Sequence, residues 1–367
     1  MKTMEAIEKE VLKISKRKIR SIIGDPAKTA EAINLIYVHD TQPGIKRIKK
    51  GNNFDYVAAE TKRITDELNL QRIRSLVIPP AWENVWICEL ENGHLQATGT
   101  DVKSRKQYKY HVLWNSLRNH TKYYRLFQFG KVLPAIRLQI ERDLSSPGLP
   151  VEKVLALVVN LIERTNIRVG NSNYEKLYGS FGLTTLKNKH VNISGSELKF
   201  SFRGKKGVHH NISLCSKKLS ALVKRCRDIP GKELFQYYTT DGDRRSVDSG
   251  MVNDYIKKLS GGDFTAKDFR TWSGTLHAFL AFKELGFFDT ATEAKKKIAE
   301  ALDRVSAQLG NTRTVCKKYY VHPVILSLYE NKSLEKYLQQ LNSIEVDDNK
   351  TGLTAEEQIV MKILESN

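Results

Sequence analysis

The alternation of apolar and polar positions changes character several times along the chain. Residues 1–24 read as a basic helix, and residues 30–75 as further helix with a turn at Gly51-Asn52-Asn53. From 76 to 112 the pattern is that of strands and turns. Leu76-Val77-Ile78 runs into Pro79-Pro80, and the short apolar stretches 84–90 and 94–99 are separated by Asn92-Gly93. From about Leu113 the spacing turns helical. It predicts a helix over 134–144, ended by Ser145-Ser146-Pro147-Gly148, and a core helix over 151–165, which is dense in Val and Leu. Residues 182–215 read as short strands again, namely LTTL, HVNIS, LKFSF and HHNISL. Gly204-Lys205-Lys206-Gly207 lies between the last two as a hairpin signal. Helices return over 216–340. In the tail, an acidic linker at 345–348 precedes Thr354 and Glu357, which have capping-box spacing. Ile359, Val360, Ile363 and Leu364 supply an apolar face behind them, so the tail should dock as a short helix. The expected fold is α+β with two lobes. The smaller one (1–118) is mixed with a small sheet, the larger (119–340) is mostly helical with a small antiparallel sheet, and an acidic tail (341–367) follows.

Composition adds little to that picture until charge is considered. Of 367 residues, 40% are hydrophobic and 28% charged, enough for a sizeable core. Sixty Lys and Arg against 41 Asp and Glu leave a net charge of +19. Residues 1–120 carry +7, residues 121–340 carry +16 and the tail carries −4. Positive charge spread over both main segments suits a long polyanion, with nucleic acid ahead of an anionic membrane surface. No run of 18 apolar residues exists, so no transmembrane helix is expected, and the N-terminus lacks the apolar core of a secretory signal. Cys88, Cys215, Cys226 and Cys316 lie far apart, with no CxxC spacing. They argue against a zinc site or a disulfide framework and fit a reducing cytoplasm.

Four separated segments carry candidate chemistry: NIRVG at 166–170, FRGKKG at 202–207, KDFR at 267–270, and LGN at 309–311 with Tyr320 nine residues after Asn311. Singly, each has an ordinary structural explanation. Arg168 could cap a helix or pair with Glu163. Lys205 could be a solvated turn residue, and Arg270 could pair with Asp268 or Asp263. Tyr320, beside Tyr319, could simply pack.

Taken in order, the four segments resemble the linear signature of the poxvirus and bacterial type IB topoisomerases. LTTLKNKH at 183–190 looks like that family's strand region, and RKQYKY at 105–110 resembles its N-terminal DNA-contact segment. The match covers roughly residues 75–325. It implies a tyrosine nucleophile, Tyr320, that attacks a DNA phosphodiester and forms a 3′-phosphotyrosyl intermediate. Arg168 and Arg270 would stabilise the charge on the non-bridging oxygens, since guanidinium stays charged and forks to two oxygens. Lys205, directly after the hairpin glycine, would protonate the departing 5′-oxygen; Lys206 is the adjacent competitor. Poxvirus members have His at the position of Asn311 and bacterial ones Asn. A neutral amide can donate a hydrogen bond there but cannot shuttle a proton. Gln107, Tyr108, Tyr110, Tyr174 and Lys267 would contact DNA. Because phenol is a better leaving group than a sugar alcohol, the freed 5′-hydroxyl can reseal the strand without outside energy. No GxxxxGK[ST] loop is present, in keeping with an ATP-independent reaction.

The resemblance thus implies a cytoplasmic, nucleoid-associated monomer that closes around duplex DNA as a clamp and relaxes supercoils without metal, cofactor or membrane. The nearest rival is a tyrosine recombinase, which shares the Arg-Lys-Arg-Tyr order. Recombinases usually carry HxxR where this chain has KDFR, and commonly begin with a helical bundle in place of a strand-rich lobe. A non-enzymatic DNA-binding relative would have lost the nucleophile or an arginine, and neither is missing here.

Overall fold

The computed structural model describes residues 22, 25–51, 53–58, 63–102, 104–341 and 351–366. They form an α+β protein that divides into two compact units, one up to Tyr124 and one from Arg125 onward. The expected basic N-terminal helix and the acidic linker at 345–348 lie outside the described residues, apart from Ile22.

In the first unit, α1 (Pro26–Glu31) is capped by Asp25, whose carboxylate accepts from the backbone N–H groups of Ala27 and Lys28. The next segment departs from the helix expected over 30–75. It forms an antiparallel hairpin, β1 (Ile45–Lys50) and β2 (Asn53–Val57), before α2 (Glu67–Ser75). Gly51 turns at φ +59, where glycine meets no steric penalty. Ile45 explains the difference, since its side chain is buried with Ile73, Val85, Ile87 and Ala97. That burial needs strand pairing, and pairing outweighs the local preference of a lysine-rich stretch. The strands expected over 76–112 are present as β3 (Glu83–Ile87), β4 (Leu95–Thr100) and β5 (Lys106–Tyr110). Among the described residues they complete a five-stranded antiparallel sheet of order β2-β1-β3-β4-β5.

Helix α3 (Val112–Ser145) contains the division between the units and is far longer than the helix expected over 134–144. Pro134 sits inside it and does not start it. Proline removes one N–H donor and crowds the carbonyl four residues back. That residue is Gly130, and the buried side chains Phe129, Leu133, Ile136, Ile140 and Leu144 flank the proline, so core packing carries the helix through.

Helix α4 (Val151–Thr165) matches its expected bounds and is buried along nearly its whole length. It ends at Asn166 in the left-handed region, φ +57, and α5 (Ser172–Tyr178) follows. The LTTL segment is not a strand. Leu183–Thr185 is a single 3-10 turn, because the Leu183 and Thr184 N–H groups bond to the carbonyls of Arg168 and Val169 and are not free for a ladder. The other three segments do pair, as β6 (Val191–Ser194), β7 (Glu197–Arg203) and β8 (His209–Cys215) in the order β6-β7-β8. After α6 (Lys217–Arg227), the region expected to be all helical contains a two-stranded hairpin, β9 (Gln236–Tyr238) with β10 (Arg244–Ser246). Gly242, at φ +83, supplies its turn. The remaining helices are α7 (Ser249–Ser260), α8 (Ala266–Leu285), α9 (Ala291–Leu309), α10 (Arg313–Tyr319), α11 (Pro323–Glu330), α12 (Glu335–Leu341) and α13 (Ala355–Ser366).

The last helix buries Ile359, Val360, Ile363 and Leu364 in the core of the second unit. A buried ionic clasp holds its start. Glu357, 2% exposed, accepts two bonds from Arg137 at 2.7 and 2.8 Å, one from Trp272 Nε1 at 2.9 Å and one from the Thr354 N–H at 3.0 Å. Arg137 also donates to Glu163 on α4 at 2.8 Å. The tail is therefore tied to α3, α4 and α8 at once.

Candidate active site

Helix α8 is the element on which the site is assembled. Arg270, in its first turns, is 4% exposed. Its two terminal nitrogens donate to the carbonyls of Asn166 and Leu309, the latter at 2.7 Å. Both carbonyls belong to helix C-termini, where backbone oxygens lack intrahelical partners and the helix dipole is negative. Two helix ends thus hold one buried guanidinium. Its Nε is buried without a hydrogen-bond partner. Burial, followed by the neighbouring charge of Arg168, depresses the Arg270 pKa to about 10.

Arg168 lies two residues beyond the left-handed Asn166. Its segment is pinned from behind by a close main-chain contact, since a Cβ on Gly182 would fall 2.6 Å from the Gly170 Cα. Arg168 donates to the amide oxygen of Asn311, and the Asn311 Nδ2 is buried without a partner. Arg168 is not paired with Glu163, which is engaged by Arg137. Burial lowers the Arg168 pKa, against the favourable influence of Tyr320.

Tyr320 caps α10 and is half-buried, with its ring centroid 5.3 Å from the Arg270 guanidinium. Its main chain sits on α8. A Cβ on Gly274 would meet the Tyr320 carbonyl oxygen at 2.6 Å, and the Thr275 hydroxyl donates to that same oxygen at 3.3 Å. Tyr319 is different: it is 40% exposed, with the Lys318 ammonium 5.4 Å from its ring.

Lys205 is on the three-residue turn Lys205–Gly207 between β7 and β8. Although the side chain as a whole is exposed, the groups crowded around its ammonium partly desolvate it, and this, followed by the charge of Arg168, pulls its pKa below the ordinary lysine value; Tyr320 opposes this, and Lys206 and Lys267 reinforce it. Four separate stretches of sequence therefore bring Arg168, Lys205, Arg270, Asn311 and Tyr320 into one electrostatic cluster. Lys267, one turn before Arg270, is exposed, and Tyr174 on α5 is 44% exposed.

The first-unit candidates are only partly together. Tyr108 and Tyr110 stack at 5.9 Å with planes 8° apart, on one side of β5. Gln107, the residue before Tyr108, donates its side-chain amide to Asp101 at 2.8 Å. Motif reading missed Gly274 and Gly182, which shape the site through close main-chain approach, and Thr275, whose hydroxyl bonds the Tyr320 backbone. A glycine inside a helix is a readable signal, because it costs about 1 kcal/mol relative to alanine.

Two family models match this chain. Residues 105–347 match the eukaryotic DNA topoisomerase I catalytic core, and residues 53–101 match the bacterial DNA topoisomerase IB N-terminal domain. The chain is 33% identical over 311 residues to the DNA topoisomerase 1B of Acanthamoeba polyphaga mimivirus, covering 83% of this chain and 92% of that one. It is 26% identical over 238 residues to the DNA topoisomerase 1B of vaccinia virus (strain Copenhagen), covering 64% of this chain and 72% of that one.

Proposed function

Because the chain belongs to the type IB DNA topoisomerase family, we propose that it relaxes supercoiled duplex DNA through Tyr320. The Tyr320 oxygen attacks a backbone phosphorus and the P–O5′ bond breaks. A 3′-phosphotyrosyl link forms, and Lys205 gives its proton to the departing 5′-oxygen while the phenolic proton leaves to water. The free end rotates, and the 5′-hydroxyl then attacks the phosphotyrosine to restore the strand and release the tyrosine. Neither ATP nor a required metal enters these steps.

The observation that carries this reading is the pair of buried donors without partners, Arg270 Nε and Asn311 Nδ2, in the same cluster as Tyr320. Burying an unsatisfied donor costs about 1–3 kcal/mol. A phosphoryl group has non-bridging oxygens to accept from them, and the two guanidiniums add charge where the transition state gains it. The lowered pKa of Lys205 suits a proton donor working near neutral pH. Asn311 serves as a hydrogen-bond donor and takes no part in proton transfer.

DNA contacts are assigned to Gln107, Tyr108 and Tyr110 in the N-terminal lobe (1–118), and to Tyr174 and Lys267 in the catalytic domain (119–340). One copy acts as a clamp, a reading supported by positive charge in both segments. The test is plasmid relaxation in EDTA without ATP, comparing wild type, Tyr320→Phe and Tyr319→Phe. Loss of relaxation and of the 3′-linked adduct in Tyr320→Phe alone supports the reading. Strand exchange between two sites without relaxation would replace it with recombination.

A further inference from the structure

The register of the β7–β8 ladder sets Phe202 opposite His210, and the two rings stack at 5.1 Å with planes 20° apart. Two glycines close on the same imidazole. A Cβ added at Gly204 would lie 2.5 Å from its Cδ2 and 2.6 Å from its Nε2. One added at Gly310 would overlap its Cε1 and lie 3.2 Å from its Nδ1. Gly204 immediately precedes Lys205, and Gly310 immediately precedes Asn311. One ring therefore fills the gap between the turn that bears the lysine and the loop that bears the asparagine, and bare main chain on both sides permits the approach.

We propose that His210 is a positioning residue for strand cleavage, a flat spacer that sets how far the Lys205 turn stands from the Asn311–Arg168 pair. The inference rests on the reading of Lys205 as the proton donor. Lys205 is exposed on a turn of three residues, so its placement depends on what packs against that turn. The shape of the ring matters here and its charge does not. Burial, followed by Arg168, Arg270 and His209, holds the His210 pKa below the ordinary histidine value, so the ring is neutral at neutral pH.

The test uses the full chain and a duplex whose cleavage site has first been mapped on plasmid DNA, under single-turnover conditions. A second duplex carries sulfur in place of the bridging 5′-oxygen at that site. A thiolate departs without a proton, so this substrate bypasses the acid step but still needs Tyr320 and both arginines. His210→Ala is expected to slow the all-oxygen duplex by about 10- to 100-fold, and sulfur is expected to restore most of the rate, both for His210→Ala and for Lys205→Ala. His210→Phe, which keeps a flat ring on Phe202, is expected to cleave the all-oxygen duplex at close to the wild-type rate. Gly204→Ala, whose new methyl meets the imidazole, is expected to be slow alone and to add little on the His210→Ala background.

Equal slowing of both duplexes by His210→Ala would overturn the inference while leaving the proton-donor reading intact. A folded His210→Phe as slow as His210→Ala would do the same. If sulfur does not rescue Lys205→Ala, the proton-donor reading fails and the inference falls with it.

Discussion

Gly274 lies against the main chain of Tyr320, with room for a hydrogen and none for a methyl group. Gly274 is one helical turn beyond Arg270, so a single face of α8 presents the buried guanidinium and also seats the tyrosine that the guanidinium faces. Thr275 completes the seat, donating to the Tyr320 carbonyl and accepting the His322 N–H at 3.1 Å.

Gly274→Ala sets two effects against each other. Alanine in a helix interior is worth about 1 kcal/mol over glycine, whereas the new methyl must push the Tyr320 backbone away. The expected result is near-normal stability and DNA affinity with single-turnover cleavage slowed about 100-fold, because small misplacements of a reacting group cost that much. Wild-type cleavage by this variant would show that the seat has slack.

Arg270→Lys should fail almost as badly as Arg270→Ala. An ammonium keeps the charge, but its three donors share one nitrogen and cannot reproduce the planar fork that spans the Asn166 and Leu309 carbonyls with two nitrogens and keeps Nε for the phosphate. Both variants are expected to lose about 10²–10³ in cleavage rate. A lysine variant within tenfold of wild type would mean that charge alone suffices.

The pH dependence of cleavage should carry the signature of Lys205. In the proposed role protonated lysine is the active form, so the rate should hold below its pKa and fall as pH rises through it. Because burial and Arg168 lower that pKa, the fall should begin at lower pH than for an ordinary lysine. On the 5′-sulfur duplex this alkaline fall should vanish. Its persistence there would assign it to another group.

Glu357→Gln probes the tail clasp. Burial pushes the Glu357 pKa up, but the Arg137 bonds and charge and the Trp272 N–H outweigh it, and the net shift is down. A carboxylate with a depressed folded pKa contributes stability above its unfolded pKa and loses it as pH falls through the folded one. The variant should therefore be less stable by about 3 kcal/mol at pH 7.5, the lower end for breaking a buried pair. That deficit should shrink in acid. Urea unfolding at both pH values measures it, and a deficit that does not change with pH would remove the ionic explanation.

Much of this protein was legible before folding was considered. Helix 151–165 was readable because its middle, 154–162, is apolar apart from Asn160, and the tail helix because Thr354 and Glu357 spell a capping box. The β1–β2 hairpin was not, because Ile45 becomes strand-like only when β3 lies beside it. Pro134 misled for the same reason, since the packing that carries α3 past it comes from other elements.

Sequence by itself determined the residue types of the chemistry and their order, because motif spacing, charge and capping are local properties of the chain. Tertiary structure alone decided that Arg270 rests on two helix ends, that Asn311 turns its oxygen to Arg168, and that Gly274 admits the Tyr320 backbone. Each of these joins residues far apart in sequence, and the partners that the motifs leave out are backbone groups with no side-chain pattern of their own.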